Sequence, residues 1–305
     1  MDNNQDQIQP RQSTAKPDWL KRFLRECKNE GEAFIIMRSR LLTEAARLIV
    51  WYFTDDLECH ENGVPGQACR IVEWFIVHKI RHQPNLRDPR VRRMFLDYMR
   101  DKMLLIVACS VLLAAKMNSR ELPVTARETN LVLGLKGVDC KLPDVLEMKM
   151  KIYKTLDYHV PTTTSVEIGE MLAHELKVEP NVLPVVAKII DEADLHRYDI
   201  ETSMRRMTKS RGLDDCEKRV RTLYLAAGGV AAALKTASEQ KGVSQKLAKM
   251  LQTSTEYIKC IRDVILEETA KERPVVENPL AIFQRKRKSF DDTYDAGKPG
   301  TSKHA

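Results

Sequence analysis

Glycine and proline are scarce in this 305-residue chain, with 12 and 13 residues, and aromatic residues supply only 6%. So few chain breakers argue against a polypeptide that is disordered throughout. Leu, Ala, Met, Lys and Glu are frequent instead, and these strong helix formers point to an all-helical protein.

Long apolar runs are missing too. The driest stretch, "MLLIVACSVLLAAKM" at 103–117, is shorter than the roughly 18 consecutive apolar residues a membrane span requires. Lys102 and Lys116 bracket it, so a buried core helix is the better reading and no membrane association is expected. The opening "MDNNQDQIQPRQSTAKPDW" holds no apolar signal-peptide segment, which argues against secretion. Seven cysteines, Cys27, Cys59, Cys69, Cys109, Cys140, Cys216 and Cys260, are widely spaced with no C-x-x-C pair. They read as reduced thiols of a nuclear or cytosolic protein.

The marks of catalysis are equally sparse. "GLKG" lacks the spacing of a phosphate-cradling loop, and no Ser or His sits in a nucleophile-elbow context. Cys59 and His60 are adjacent with Cys69 distant, and His78 and His82 are four apart without a metalloprotease frame. No metal or other cofactor is expected. The acid pairs Asp55/Asp56, Asp191/Glu192 and Asp214/Asp215 read as caps and solvated helix faces. Neither Ser-Pro nor Thr-Pro occurs, so proline-directed phosphorylation is not expected.

What is present is helical periodicity, twice over. "EAFIIMRSRLLTEAARLIVWYF" repeats apolar residues every three or four positions, as does Ala68, Ile71, Val72, Phe75 and Ile76. Further helices are expected from about residue 91 or 97 to Met117, over 124–133 and over 143–156. Beyond "DYHVPTTTS", where Pro161 opposes helix and the Thr/Ser run offers caps, about five more are expected: 166–176, 182–198, 220–237, 243–251 and 255–268. "VACSVLLAAK" and "LAAGGVAAALK" then match as dry central helices, closed by Lys116 and Lys235. Their small residues admit close neighbours, which predicts a repeated all-helical domain of two five-helix bundles. The expected division is a disordered segment 1–18, a first domain 19–160 with its preceding helix, a second 161–270, and a basic, largely disordered tail 271–305.

The formal charge of +7 favours acidic partners or nucleic acid and says nothing about the fold. Its densest run is Arg285, Lys286, Arg287 and Lys288, which reads as a nuclear-import signal or a weak nucleic-acid contact, with Ser289 open to a basophilic kinase. A basic run in a tail argues against a folded DNA-binding face, so direct nucleic-acid binding is not expected.

"MLLIVACSVLLAAKMNS" resembles the central third helix of a cyclin box, and "LPDVLEMKMKIYKTLDYHVPTTTSVEI" resembles its fifth helix and the linker between boxes. The resemblance covers roughly 32–268, is strong over 97–168 and weak afterwards, and so implies tandem cyclin boxes with the second divergent. Within the cyclins it is similar to the meiotic cyclin N-terminal domain-containing proteins, a group with a nematode member at crossover sites. "VEWFIVHK" and "HQPNLRDPRVRRMFLDYMRDK" carry that likeness.

The resemblance implies a noncatalytic subunit that binds a cyclin-dependent kinase, of type 2, and acts with meiotic recombination proteins in crossover formation. It places the protein in the nucleus, on chromosomes at crossover sites. It maps the family's kinase-contacting lysine onto Lys116. The companion glutamate position holds Lys149, with Glu147 two residues earlier and about 200° around the helix. The family's substrate-docking patch maps onto Met37, Arg38 and Leu41, with Arg40 at an apolar position and Glu44 where a Trp is usual. Those departures support a second reading, a cyclin-fold scaffold that recruits recombination factors without a kinase.

Overall fold

The computed structural model describes residues 17–35, 41–83, 85–118, 124–213, 220–237 and 242–271. Among them the regular structure is helical, with twelve α-helices and no strand. The helices are α1 (Asp18–Ile35), α2 (Glu44–Asp56), α3 (Val64–Arg81), α4 (Pro89–Asn118), α5 (Ala126–Leu135), α6 (Leu142–Thr155), α7 (Ser165–Glu175), α8 (Leu183–Leu195), α9 (Arg197–Ser210), α10 (Thr222–Thr236), α11 (Val243–Leu251) and α12 (Thr255–Thr269).

Local chemistry sets the helix starts. Thr125 and Glu128 form a reciprocal capping box on α5, the Glu128 carboxylate accepting the Thr125 N–H at 2.8 Å. Thr43, Thr164 and Ser254 cap α2, α7 and α12 by accepting backbone N–H groups with their hydroxyls. The Thr/Ser run after Pro161 thus supplies a cap, as its composition predicts.

α4 is the axis of the first bundle. Every residue from Leu105 to Ala115 is buried, and α2, α3, α5 and α6 pack around it. α10 does the same in the second bundle, buried continuously from Leu225 to Leu234 against α7, α8, α11 and α12. Gly228 and Gly229 let α10 approach on two sides at once: a Cβ on Gly228 would meet Ile261 of α12, and one on Gly229 would lie 2.5 Å from Ile190 of α8. The chain is therefore an all-α pair of helical bundles with matching central helices.

Two helix boundaries depart from the periodic pattern. The apolar repeat from Glu32 into Phe53 is not one helix, because residues 41–43 are non-helical and Thr43 starts α2 afresh. The helix expected over 182–198 ends at Leu195, and a separate helix, α9, follows as an addition to the second bundle. Its sequence, "RYDIETSMRRMTKS", buries few apolar residues, chiefly Ile200 and Met204, so periodicity understates it.

Leu20, Phe23 and Cys27, spaced three and four apart on α1, join the core of the second bundle. The N-terminal helix therefore crosses to the distant half of the chain. Buried polar groups stitch the same region. Arg47 of α2 pairs with Glu73 of α3 at 2.5 Å and donates to the Asp194 carbonyl of α8 at 3.1 Å. Arg197 of α9 pairs with Glu30 of α1 at 2.9 Å, and Glu30 also accepts the Thr222 N–H at 3.0 Å. Burial alone would raise the Glu30 carboxyl, but Arg197, Arg70 and the Thr222 N–H outweigh it and hold Glu30 below the usual carboxylate range.

Candidate functional site

The dry helix α4 reaches solvent at Lys116, which is exposed directly after buried Ala115. A cation at a helix C-terminus faces the partial negative charge of the last carbonyls, so this placement is locally favourable. Among the described residues no carboxylate lies within ion-pair distance of Lys116.

The end of α4 is anchored, so Lys116 projects from a fixed support. Asn118 Nδ2 donates to the Ala114 carbonyl at 2.8 Å and also to Gln67 Oε1 of α3. Gln67 in turn donates from Nε2 to the Pro161 carbonyl at 2.5 Å, and Arg70 donates to the Thr163 carbonyl at 2.7 Å. α3 therefore ties the tip of α4 to the linker between the bundles.

α6 supplies the other sequence-predicted residues. Its core face is Val145, Met148 and Ile152. Cys109 of α4 donates its thiol to the Val145 carbonyl at 3.5 Å, and the Lys149 N–H faces the same sulfur. Burial pushes the Cys109 thiol up to about 12, so it is a packing group rather than a nucleophile. Lys149 is half-buried at this crossing, while Lys116 lies about 10 Å further along α4. Lys116 and Lys149 thus lie on two helices, α4 and α6, that pack together. Glu147 is exposed and points away from the core, so it does not join Lys149 on its flank.

The flank shared with Lys149 is apolar and open. Leu146 is 42% and Met150 43% exposed, with half-buried Tyr153 between Lys149 and Leu146 around the helix. On α5, which packs against α6, Leu131 is 61% and Leu135 85% exposed. Apolar pairs spaced i,i+4 on two adjoining helices are what an amphipathic partner helix covers. Sequence periodicity places Leu146 on or near the apolar face of this helix with Val145, Ile152, Tyr153 and Leu156, whereas the structure leaves it 42% exposed; it does not single out Leu131, Leu135 or Met150.

Of the expected docking residues Met37, Arg38 and Leu41, the structure describes Leu41. Leu41 lies in the non-helical segment before α2 and packs partly against the first core; Met37 and Arg38 lie outside the described residues. Glu44 is the first residue of α2 and faces His196 Nδ1 at 3.3 Å. Arg285, Lys286, Arg287 and Lys288 also lie outside the described residues. His78 and His82 stack with ring centroids 6.0 Å apart, and among the described residues no group of three or more His, Cys, Asp and Glu could hold a metal ion. No described helix is long and apolar enough to cross a membrane.

No family model matches the chain, and no curated protein matches it. Solved structures do. One is the X-ray structure of a viral cyclin from herpesvirus saimiri, matched over 80% of this chain and 97% of that one, with a TM-score of 0.52 and 13% identity. Likeness at that identity speaks for the fold alone, and the architecture it establishes is an all-α cyclin-box fold.

Proposed function

We propose that this protein is a noncatalytic cyclin-type regulatory subunit that binds a cyclin-dependent kinase through the end of α4 and the outer faces of α5 and α6. The observation that carries the reading is Lys116, an exposed cation with no ion-pair partner among the described residues, on the anchored end of a helix against which α5 and α6 pack with Leu131, Leu135, Leu146 and Met150 exposed. A kinase turns over only when its own Lys–Glu ion pair is assembled, and a helix packed onto such a surface is held in one position. The apolar side chains would supply the burial, each fully covered Leu or Met stabilising by about 1.5–3 kcal/mol before association costs. Lys116 would donate to kinase backbone carbonyls. A type 2 kinase, a nuclear site of action on chromosomes, and a role with recombination proteins at meiotic crossovers complete the proposal, and they rest on the sequence resemblance.

Lys149 favours a second reading, a scaffold that kept the fold and recruits recombination factors. Two lysines bordering one interface repel unless a partner acid lies between them. Copurification with a type 2 cyclin-dependent kinase followed by a histone-kinase assay separates the two. An active complex supports the regulator, a stable inactive complex supports the scaffold, and failure to form a complex contradicts the kinase-binding proposal.

A further inference from the structure

α4 is 30 residues long, but its first deeply buried residue is Met99. Asp88 starts the helix by accepting the Arg90 N–H at 2.8 Å, and the three turns that follow lie largely in solvent. This extension is basic: Arg87, Arg90, Arg92 and Arg93 crowd into seven residues. Among the described residues no carboxylate lies within ion-pair distance of Arg87, Arg90 or Arg92, whereas Arg100 is shared by Asp97 and Asp101, each at 3.2 Å.

The extension is also apolar where a solvated charged face would not be. Met94 is 73% exposed and Leu96 is 54% exposed. At about 100° per residue, Arg92, Leu96, Arg100 and Arg93 fall within about 100° of arc, so Leu96 lies inside an arginine fence. Its surface can be covered without any movement of the core.

We propose that this face of α4, centred on Leu96, docks an acidic peptide segment that carries an apolar side chain among its carboxylates. The arginines match the carboxylates and steer encounter, while Leu96 buries the apolar anchor and sets register. A nucleic-acid backbone fits less well, because phosphates leave Leu96 uncovered. The surface is separate in the fold from the kinase-binding proposal, which uses the opposite end of α4.

The test is fluorescence anisotropy of the full chain with a labelled peptide of alternating Asp and Glu around one central Leu, at about 0.15 M salt. A labelled DNA duplex is titrated in parallel. Arg92→Glu with Arg93→Glu should weaken peptide binding by about tenfold or more, and Leu96→Ser by about threefold or more. Both variants change exposed residues, and an unchanged thermal midpoint verifies their folding. Absence of peptide binding, peptide binding unmoved by either folded variant, or a duplex bound more tightly through the same arginines would overturn the proposal.

Discussion

Arg197 and Glu30, 167 residues apart in sequence, form a buried ion pair at 2.9 Å that fixes the N-terminal helix to the second bundle. Their side chains are only 6% and 7% exposed, so neither charge has water to fall back on. Arg197→Met leaves the buried Glu30 carboxylate with the Thr222 donors and the charge of Arg70, and takes a cation from buried Asp194. A loss of about 3–5 kcal/mol is expected, read from urea denaturation. Adding Glu30→Gln should restore part of it, because the second charge is then gone. Equal losses in the single and double variants would show that packing, not charge, dominates there.

The paired glycines of α10 make a second prediction. Gly228→Ala pushes a methyl group into Ile261, and Gly229→Ala pushes one into Ile190. Alanine has the better helix propensity, by about 1 kcal/mol, yet overpacking costs about 1–3 kcal/mol and should win. Both variants are expected to lower the thermal midpoint. A rise in either would mean that α8 and α12 can retreat freely from α10.

Asp191 makes the fold sensitive to pH. Burial, then Asp194 and Glu192, push its carboxyl up to about 7 from an ordinary value near 3.8. The folded state therefore holds a proton that the unfolded state releases, so this residue's contribution to stability falls as pH rises from about 4 to about 7. Asp191→Asn removes the penalty. The variant should match the natural chain near pH 4 and exceed it by on the order of 4 kcal/mol at pH 8. A constant difference across that range would contradict the assignment.

The exposed apolar pair on α5 should matter for binding and not for folding. Leu131→Ser with Leu135→Ser removes side chains that are 61% and 85% exposed, so stability should shift by less than about 0.5 kcal/mol. Kinase affinity should fall by about tenfold or more. Calorimetric titration against the kinase, beside a thermal melt, measures both.

Much of this was legible in the sequence, for physical reasons. α4 and α10 announce themselves because a helix surrounded by neighbours must be apolar all round, and Lys116 and Lys235 mark where each surfaces. α9 was hidden because its contribution is partly ionic: Arg197 is buried by partners on α1 and α8, which no local period encodes. The break before α2 was hidden because Thr43 interrupts an apolar repeat that continues on both sides. Lys116 was legible as the end of a dry helix. The Leu131, Leu135, Leu146 and Met150 surface was not, since outward apolar residues are recognised only once the inward face is known.

The regulatory proposal stands most directly on Lys116. Lys116 is exposed and has no ion pair among the described residues, so Lys116→Glu should lose only its favourable contact with the last carbonyls of α4, about 1 kcal/mol, and lower the thermal midpoint slightly without unfolding the chain. The deciding measurement is the dissociation constant of the full chain for a type 2 cyclin-dependent kinase, with and without that substitution. The account predicts binding that weakens by about tenfold or more in Lys116→Glu, and equal affinity for the two chains, or no binding by either, would contradict it.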